Sequence, residues 1–300
     1  MKKSSSLAVS LLILAVFGYF LYEYRVFERL GEIFSALSVR ELLISLLLYL
    51  STYYFRAKRF TVMFPQIKTA DLVAVMAVHT FFNNILPFRS GEASFPIILK
   101  KLFGVEVSIS SGALLFARVL DLASLALLFL VSAFVVATGR KELLVIPLLV
   151  LFALVLVLLV GFKLLKAFRG RFAVLGALFF FFQQFVSVKK LFLIGLYSLL
   201  TWLFKFASFH YILKAGGIEL NFFQTVFVST FGELTTVLPV HSIGGFGTYE
   251  AGLVGGFKLL GLKTSYALTV AFYFHLILLL MSALLALFGW LYLSLRLRRR

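Results

Sequence analysis

The sequence predicts an all-α polytopic membrane protein of two inverted repeats, each with three full spans and one broken, re-entrant helical hairpin. Three observations predict it. The 300-residue chain is 62% hydrophobic and 14% charged, where a soluble domain of this length carries about 25% charged residues. Apolar runs long enough to cross a bilayer recur from end to end,. Two further apolar stretches, 70–100 and 222–262, are interrupted in the middle by Pro, Gly and charge. Hydrocarbon tolerates such breaks only where the backbone is buried in protein or lines a wet cavity.

Full spans are expected at 7–22, 39–57, 107–137, 142–162, 191–213 and 265–294. Lys2 and Lys3 ahead of an apolar run resemble a signal peptide. No small-x-small cleavage pattern follows and more spans come after, so this run is expected to remain as the first helix. Between the first two spans, VFERLGEIFSAL sets Val26, Phe27, Leu30, Ile33, Phe34 and Leu37 at helical spacing. That predicts an amphipathic elbow on the membrane surface. A second elbow is expected at 163–190, where Lys163, Lys166, Arg169, Arg171, Lys189 and Lys190 bracket FAVLGALFFFF.

Charge sets the orientation. The formal charge of +17 would suggest nucleic acid in a soluble protein,. Here the basic residues cluster at span ends, as cytoplasmic anchors do. The expected partner is therefore the anionic lipid surface on the cytoplasmic side, with no nucleic acid. Lys2, Lys3, Arg56, Lys58, Arg59, Lys68, the run at 163–190 and the terminal arginines fall inside, and the loops at 23–38 and 214–221 outside. This places both termini of a multi-pass cell-membrane protein in the cytoplasm. It works only if each broken stretch makes no net crossing. Each half then crosses an odd number of times, so the second is upside down relative to the first. The expected organisation is one membrane domain, 1–300, with a first repeat at 1–137 and a second at 138–300. Inverted repeats with broken helices mark many secondary transporters. The motifs agree with the repeat: the step from Gly104 to Arg118 equals that from Gly261 to His275.

The chemistry is expected at the breaks. Pro87 and Pro239 end the first arms, and Gly91, Gly244, Gly245 and Gly247 permit the reversals. The second arms begin near Ser90–Gly91–Glu92 and Thr248–Tyr249–Glu250, where free N–H groups suit a phosphate. Glu92 and Glu250 carry two readings: each caps its own helix, or each acts as ligand or proton site. Arg118, with Asp121 three residues on, is either a self-neutralised pair or a lipid-phosphate binder held in place by Asp121. Lys205 sits deep in its span, either snorkelling or facing a cavity. Asn83 approaches the first hairpin tip, and Glu233 is an ionisable group in an apolar arm. His275 reads as packing, and Gly252–Gly256 as a GxxxG close-packing pair. The chain has no cysteine, which excludes disulfides, thiolate metal sites and a Cys nucleophile. No catalytic residue, metal or cofactor is expected.

The motif set Asn83/Leu86/Pro87/Arg89/Gly91/Glu92, then Arg118/Asp121, then Leu238/Pro239/Gly244/Gly245/Gly247/Glu250 resembles the flippase-like membrane domain of lysylphosphatidylglycerol synthases, the MprF and YbhN type. The resemblance covers essentially the whole chain. It implies translocation of a charged or glycosylated lipid between leaflets, with headgroup recognition at Arg89 and Glu92 and phosphate at Arg118. Larger members add a soluble aminoacyl-transferase domain that this sequence does not show, so synthase activity is not expected. The expected function is a lipid flippase or transporter for a phosphate-containing or polyprenyl-phosphate lipid. One alternative is a membrane-embedded polyprenyl-phosphate transferase, for which Asp71 and Asp121 lie too far apart in sequence to suggest a metal cluster. The other is a proton-coupled small-anion carrier with Glu92, Glu233 or Glu250 as proton site.

Overall fold

A computed structural model describes residues 3–137, 187–236 and 242–297, with isolated positions 145, 148, 149 and 152. The expected span at 142–162, nearly all of the second elbow, and Pro239 lie outside the described residues. The described elements are helical: α1 (Lys3–Glu23), α2 (Val26–Ser35), α3 (Val39–Met63), α4 (Thr69–Ile85), a 3-10 turn (Pro87–Ala93), α5 (Ser94–Phe103) and α6 (Val107–Ala137). After the undescribed stretch come α7 (Val188–Ala215), α8 (Phe222–Thr235), a short 3-10 turn (Ile243–Gly245), α9 (Thr248–Leu259) and α10 (Thr264–Leu297). Among the described residues, Val107–Ala137, Val188–Ala215 and Thr264–Arg296 are long and apolar enough to cross a membrane. The described residues are those of an all-α, multi-pass membrane protein.

The chain turns from α1 into α2 through a 72° bend. Arg25 takes the left-handed conformation there, φ 49°. α2 buries Val26, Leu30 and Ile33 and leaves Phe27 and Phe34 exposed, so the apolar stripe divides between the protein and its surroundings. The order long helix, shorter helix, 3-10 break, short helix, long helix occurs twice, at 39–137 and at 188–297. In each copy a left-handed glycine, Gly104 at φ 69° or Gly261 at φ 92°, precedes the last long helix. That conformation costs glycine little and other residues more.

The chain forms two compact units, and each draws on both halves of the sequence. One comprises Met1–Leu50, Val78–Glu92 and Lys205–Leu287; the other comprises Ser51–Ala77, Ala93–Phe204 and Phe288–Arg300. In the first unit Phe206, Phe209, Phe227, Phe257, Tyr273 and Phe274 are buried. Ser45 Oγ lies 2.8 Å from Ser208 Oγ, tying α3 to α7. α8 opens with a reciprocal cap: Asn221 accepts from the Gln224 N–H, and the Gln224 side chain accepts from the Asn221 N–H,. α8 and α9 pack together. A Cβ on Gly252 would come within 2.5 Å of the Phe231 carbonyl oxygen, and one on Gly256 within 2.9 Å of the Val228 Cα. The GxxxG pair therefore serves backbone approach, as its spacing suggests. At the first break, a Cβ on Gly91 would come within 2.3 Å of the Phe82 carbonyl oxygen, so the turn folds back onto the last turns of α4.

In the second unit Tyr53, Phe60, Phe95, Phe116 and Phe129 are buried, with the Phe60 and Phe95 ring centroids 4.6 Å apart. α5 packs on α6. Asp71, near the start of α4, is fully buried and takes both Arg296 and the Tyr292 hydroxyl from the end of α10.

Candidate functional site

Ionisable side chains deep in an apolar bundle are expensive unless partnered, and they mark function by default. Besides the Asp71–Arg296 pair, the described residues hold one such cluster in each unit.

The second unit centres on Asp121 of α6. Arg59 of α3 donates from Nη1 to Asp121 Oδ1 at 2.6 Å and from Nη2 to Oδ2 at 3.3 Å. Its Nη1 also donates to Ser198 Oγ of α7 at 2.8 Å. Arg59 is 3% exposed. This corrects the sequence reading of Arg59 as a cytoplasmic anchor; the expected Arg118–Asp121 pair is present, with Arg59 as the closer partner. α3 runs six residues beyond the expected end of its span and carries Arg59 inward against α6. A planar guanidinium matches both carboxylate oxygens at once, whereas Arg118 Nη1 stands 4.0 Å from Asp121 Oδ2. Arg118 keeps 32% of its side chain exposed. Arg56 and Arg118 also act electrostatically on Asp121. Two guanidiniums thus pair with one carboxylate, Arg59 buried and Arg118 partly accessible.

In the first unit Lys205 Nζ donates to Glu233 Oε2 at 2.7 Å, and the Tyr249 hydroxyl donates to Glu233 Oε1 at 3.1 Å. The structure therefore joins two separately predicted residues, Lys205 and Glu233, in one buried ion pair. Glu250 is fully buried. Its Oε2 accepts from the Gly247 N–H at 2.8 Å, and its Oε1 lies 2.8 Å from His275 Nδ1. The carboxylate caps its own helix and holds a histidine as well. His275 is thus more than packing, and its ring also touches those of Phe246 and Tyr249, with centroids 5.0 and 4.6 Å away.

Of the remaining predicted residues, Asn83, Pro87, Arg89, Gly91 and Glu92 lie at or just before the first break, and Gly244, Gly245 and Gly247 at the second. Asn83 Oδ1 is buried with no hydrogen-bond partner among the described residues, and Glu92 is half-buried in the turn before α5. The side chain of Arg89 falls outside the described residues. Pro87 opens the 3-10 turn and Gly91 makes its close approach. Gly244, Gly245 and Gly247 all have positive φ. α5 begins without a side-chain cap. Among the described residues, no group of three His, Asp or Glu side chains is arranged as metal ligands.

One comparison with known families finds a match over most of the chain. A family model described as the lysylphosphatidylglycerol synthase transmembrane region matches residues 7–286. The chain belongs to that family. Membership assigns it a lipid-handling, membrane-embedded, transport-type function with a membrane lipid as substrate. The matched region is the family's transmembrane part. No curated protein matches the chain at a significant level.

Sequence reasoning missed Arg59 and underrated His275. Arg59 lies seven residues after the buried Thr52 and four before the buried Met63, on one helix face with both. That periodicity was the available signal. His275 had its signal in the repeat, at the position equivalent to Arg118.

Proposed function

We propose that the protein moves a phosphate-bearing lipid between leaflets, with Arg118 holding the phosphate at membrane depth while the acyl or isoprenoid chains stay in lipid. The observation that carries this reading is the cluster around Asp121. Arg59 takes the carboxylate in a two-point grip, and the partly exposed Arg118 faces it from a longer distance. A guanidinium is charged at every physiological pH and suits phosphate oxygens.

Helix arithmetic supports the placement. α5 is ten residues long, about 15 Å, and Arg118 comes eleven residues into α6, about 17 Å at 1.5 Å per residue. Antiparallel packing of α5 on α6 then brings Arg118 level with the start of α5. The second hairpin supports the same arithmetic. His275 comes eleven residues into α10 and meets Glu250 in the first turn of α9. Glu92 and Arg89, in the turn that leads into α5, are proposed to read the headgroup. Asn83 is proposed to join them through its buried oxygen, which has no partner among the described residues. The two matching element orders are proposed to be inverted repeats, 1–137 and 138–300, rocking to expose the headgroup to each side in turn.

Native mass spectrometry of the purified protein tests the site. Wild type is expected to retain phosphatidylglycerol over phosphatidylcholine, and Arg118→Gln to lose that preference by about tenfold or more, the scale of a charge-assisted pair. Equal retention of both lipids by wild type and variant would contradict the assignment of Arg118.

A further inference from the structure

Three helix ends of the second unit meet at a basic surface that the proposed transport does not use. The last turns of α10 run along the start of α4. A Cβ on Gly289 would come within 2.8 Å of the Ala74 carbonyl oxygen, Leu293 is buried, and Asp71 takes both the Tyr292 hydroxyl and Arg296. Residues 289, 293 and 296 share one helix face. Arg296 also reaches α5, its Cζ lying 5.3 Å from the centre of the Phe103 ring. One arginine thus touches the start of α4 and the end of α5. Lys68 immediately precedes α4, and Lys100 and Lys101 lie in the last turn of α5. All three lysines are exposed, and Arg296 keeps 31% of its side chain exposed.

Local helix chemistry does not account for this set. Lysines near a helix C-terminus complement its dipole, but the carbonyls of Leu99 and Lys100 already accept from the Val105 and Gly104 N–H groups. Lys68 stands at the N-terminal end of α4, its carbonyl accepting from the Leu72 N–H, where the dipole opposes a positive charge. Two acids lie nearby. Asp71 is fully buried, and Glu106 is exposed and accepts from Ser108 Oγ at 3.4 Å. Against these two acids, four basic side chains leave two positive charges in excess.

The neighbouring apolar surface points to a lipid. On α5 the exposed Ile97 lies one turn before Lys100, and on α10 the exposed Trp290 and Leu295 lie within two turns of Arg296. Both helices pass from exposed apolar to exposed basic surface within a few residues. That is the profile of a membrane interface, where Trp also collects. A soluble anion would use the basic part alone, whereas a lipid uses both.

We propose that the meeting point of α4, α5 and α10 binds a membrane lipid whose headgroup carries two phosphates. Lys68, Lys100, Lys101 and Arg296 hold the phosphates, and Ile97 and Leu295 lie along the acyl chains. This lipid is not the transported one. Arg118 comes eleven residues into α6, level with the opposite end of the ten-residue α5, about 15 Å away at 1.5 Å per residue. The bound lipid ties three helix ends together, and the site stands whether or not Arg118 binds a phosphate.

Native mass spectrometry of the purified full-length chain tests this, with diphosphatidylglycerol, phosphatidylglycerol and phosphatidylcholine compared at equal phosphate content. Wild type is expected to prefer diphosphatidylglycerol over phosphatidylglycerol by about tenfold or more, the scale of one added charge-assisted contact. Lys100→Gln combined with Lys101→Gln is expected to lose that preference. Two control variants are expected to keep it: Arg118→Gln, and Lys258→Gln combined with Lys263→Gln, which removes two exposed lysines of the first unit. Equal binding of the two anionic lipids by wild type would overturn the two-phosphate headgroup. A preference that survives the change at 100 and 101, or falls as far with the change at 258 and 263, would overturn the location. Loss in Arg118→Gln alone would give the lipid to the transport site and contradict the proposal. Displacement of the lipid by an equal concentration of inorganic pyrophosphate would make this a soluble-anion site and refute the lipid assignment. Should the double variant fail to fold, Lys68→Gln decides: a fall of about fivefold in diphosphatidylglycerol affinity is expected for one basic residue, and an unchanged affinity would overturn the site.

Discussion

Arg59 and Asp121 show how a single carboxylate can order a set of basic residues. Removing one partner of a buried ion pair leaves an uncompensated charge, which costs about 3–5 kcal/mol. Asp121→Asn is therefore expected to destabilise the protein by that amount in chemical unfolding from micelles. Arg59→Met combined with Asp121→Leu is expected to recover most of the loss, because both charges leave together. Recovery absent from the double variant would show that the pair holds more than itself in place. Much of this residue-level picture was legible in advance: Arg118, Asp121, Lys205, Glu233 and Glu250 stand out as charges inside apolar runs. The Arg118–Asp121 pair was legible too, but the closer grip of Arg59 on Asp121 and the pairing of Lys205 with Glu233 were not. Three basic residues follow one another at 56, 58 and 59, and composition alone does not say which turns inward. Once α3 continues to Met63, only the helical face decides.

The hairpins are decided by glycines and caps. Gly252 and Gly256 let α9 lie against the backbone of α8, and a Cβ on Gly255 would meet nothing within 4 Å. Gly252→Ala is accordingly expected to cost about 1–3 kcal/mol through overpacking. Gly255→Ala, on the same helix, is expected to be neutral or slightly stabilising. Thermal unfolding of the two variants side by side checks this, and equal effects would contradict the packing account. The elements themselves followed closely from hydropathy. α6 occupies the residues expected, and α7 and α10 extend only a few residues past their predicted limits. The elbow at α2 was legible as a helix, but its stripe was too wide to show that Phe27 and Phe34 remain exposed while Val26, Leu30 and Ile33 turn inward. A period of 3.6 locates a face and not what covers it.

At the scale of the molecule, the proposed inverted repeats rest on order, spacing and charge. Because the chain has no cysteine, single cysteines report sidedness without background. A cysteine at Ser4 or at Leu297 is expected to label only from the cytoplasmic side, and one at Gly217 only from the opposite side, as the distribution of basic residues requires. Labelling of positions 217 and 297 from the same side would contradict the repeat arrangement. The most direct measurement is loss of a fluorescent phosphatidylglycerol from the inner leaflet of reconstituted vesicles, for wild type and for Arg118→Ala confirmed as folded. The account predicts flipping by wild type and a fall of about tenfold or more in Arg118→Ala, the effect of one lost charge-assisted contact. Equal flipping by the two proteins, or flipping by neither, would contradict it.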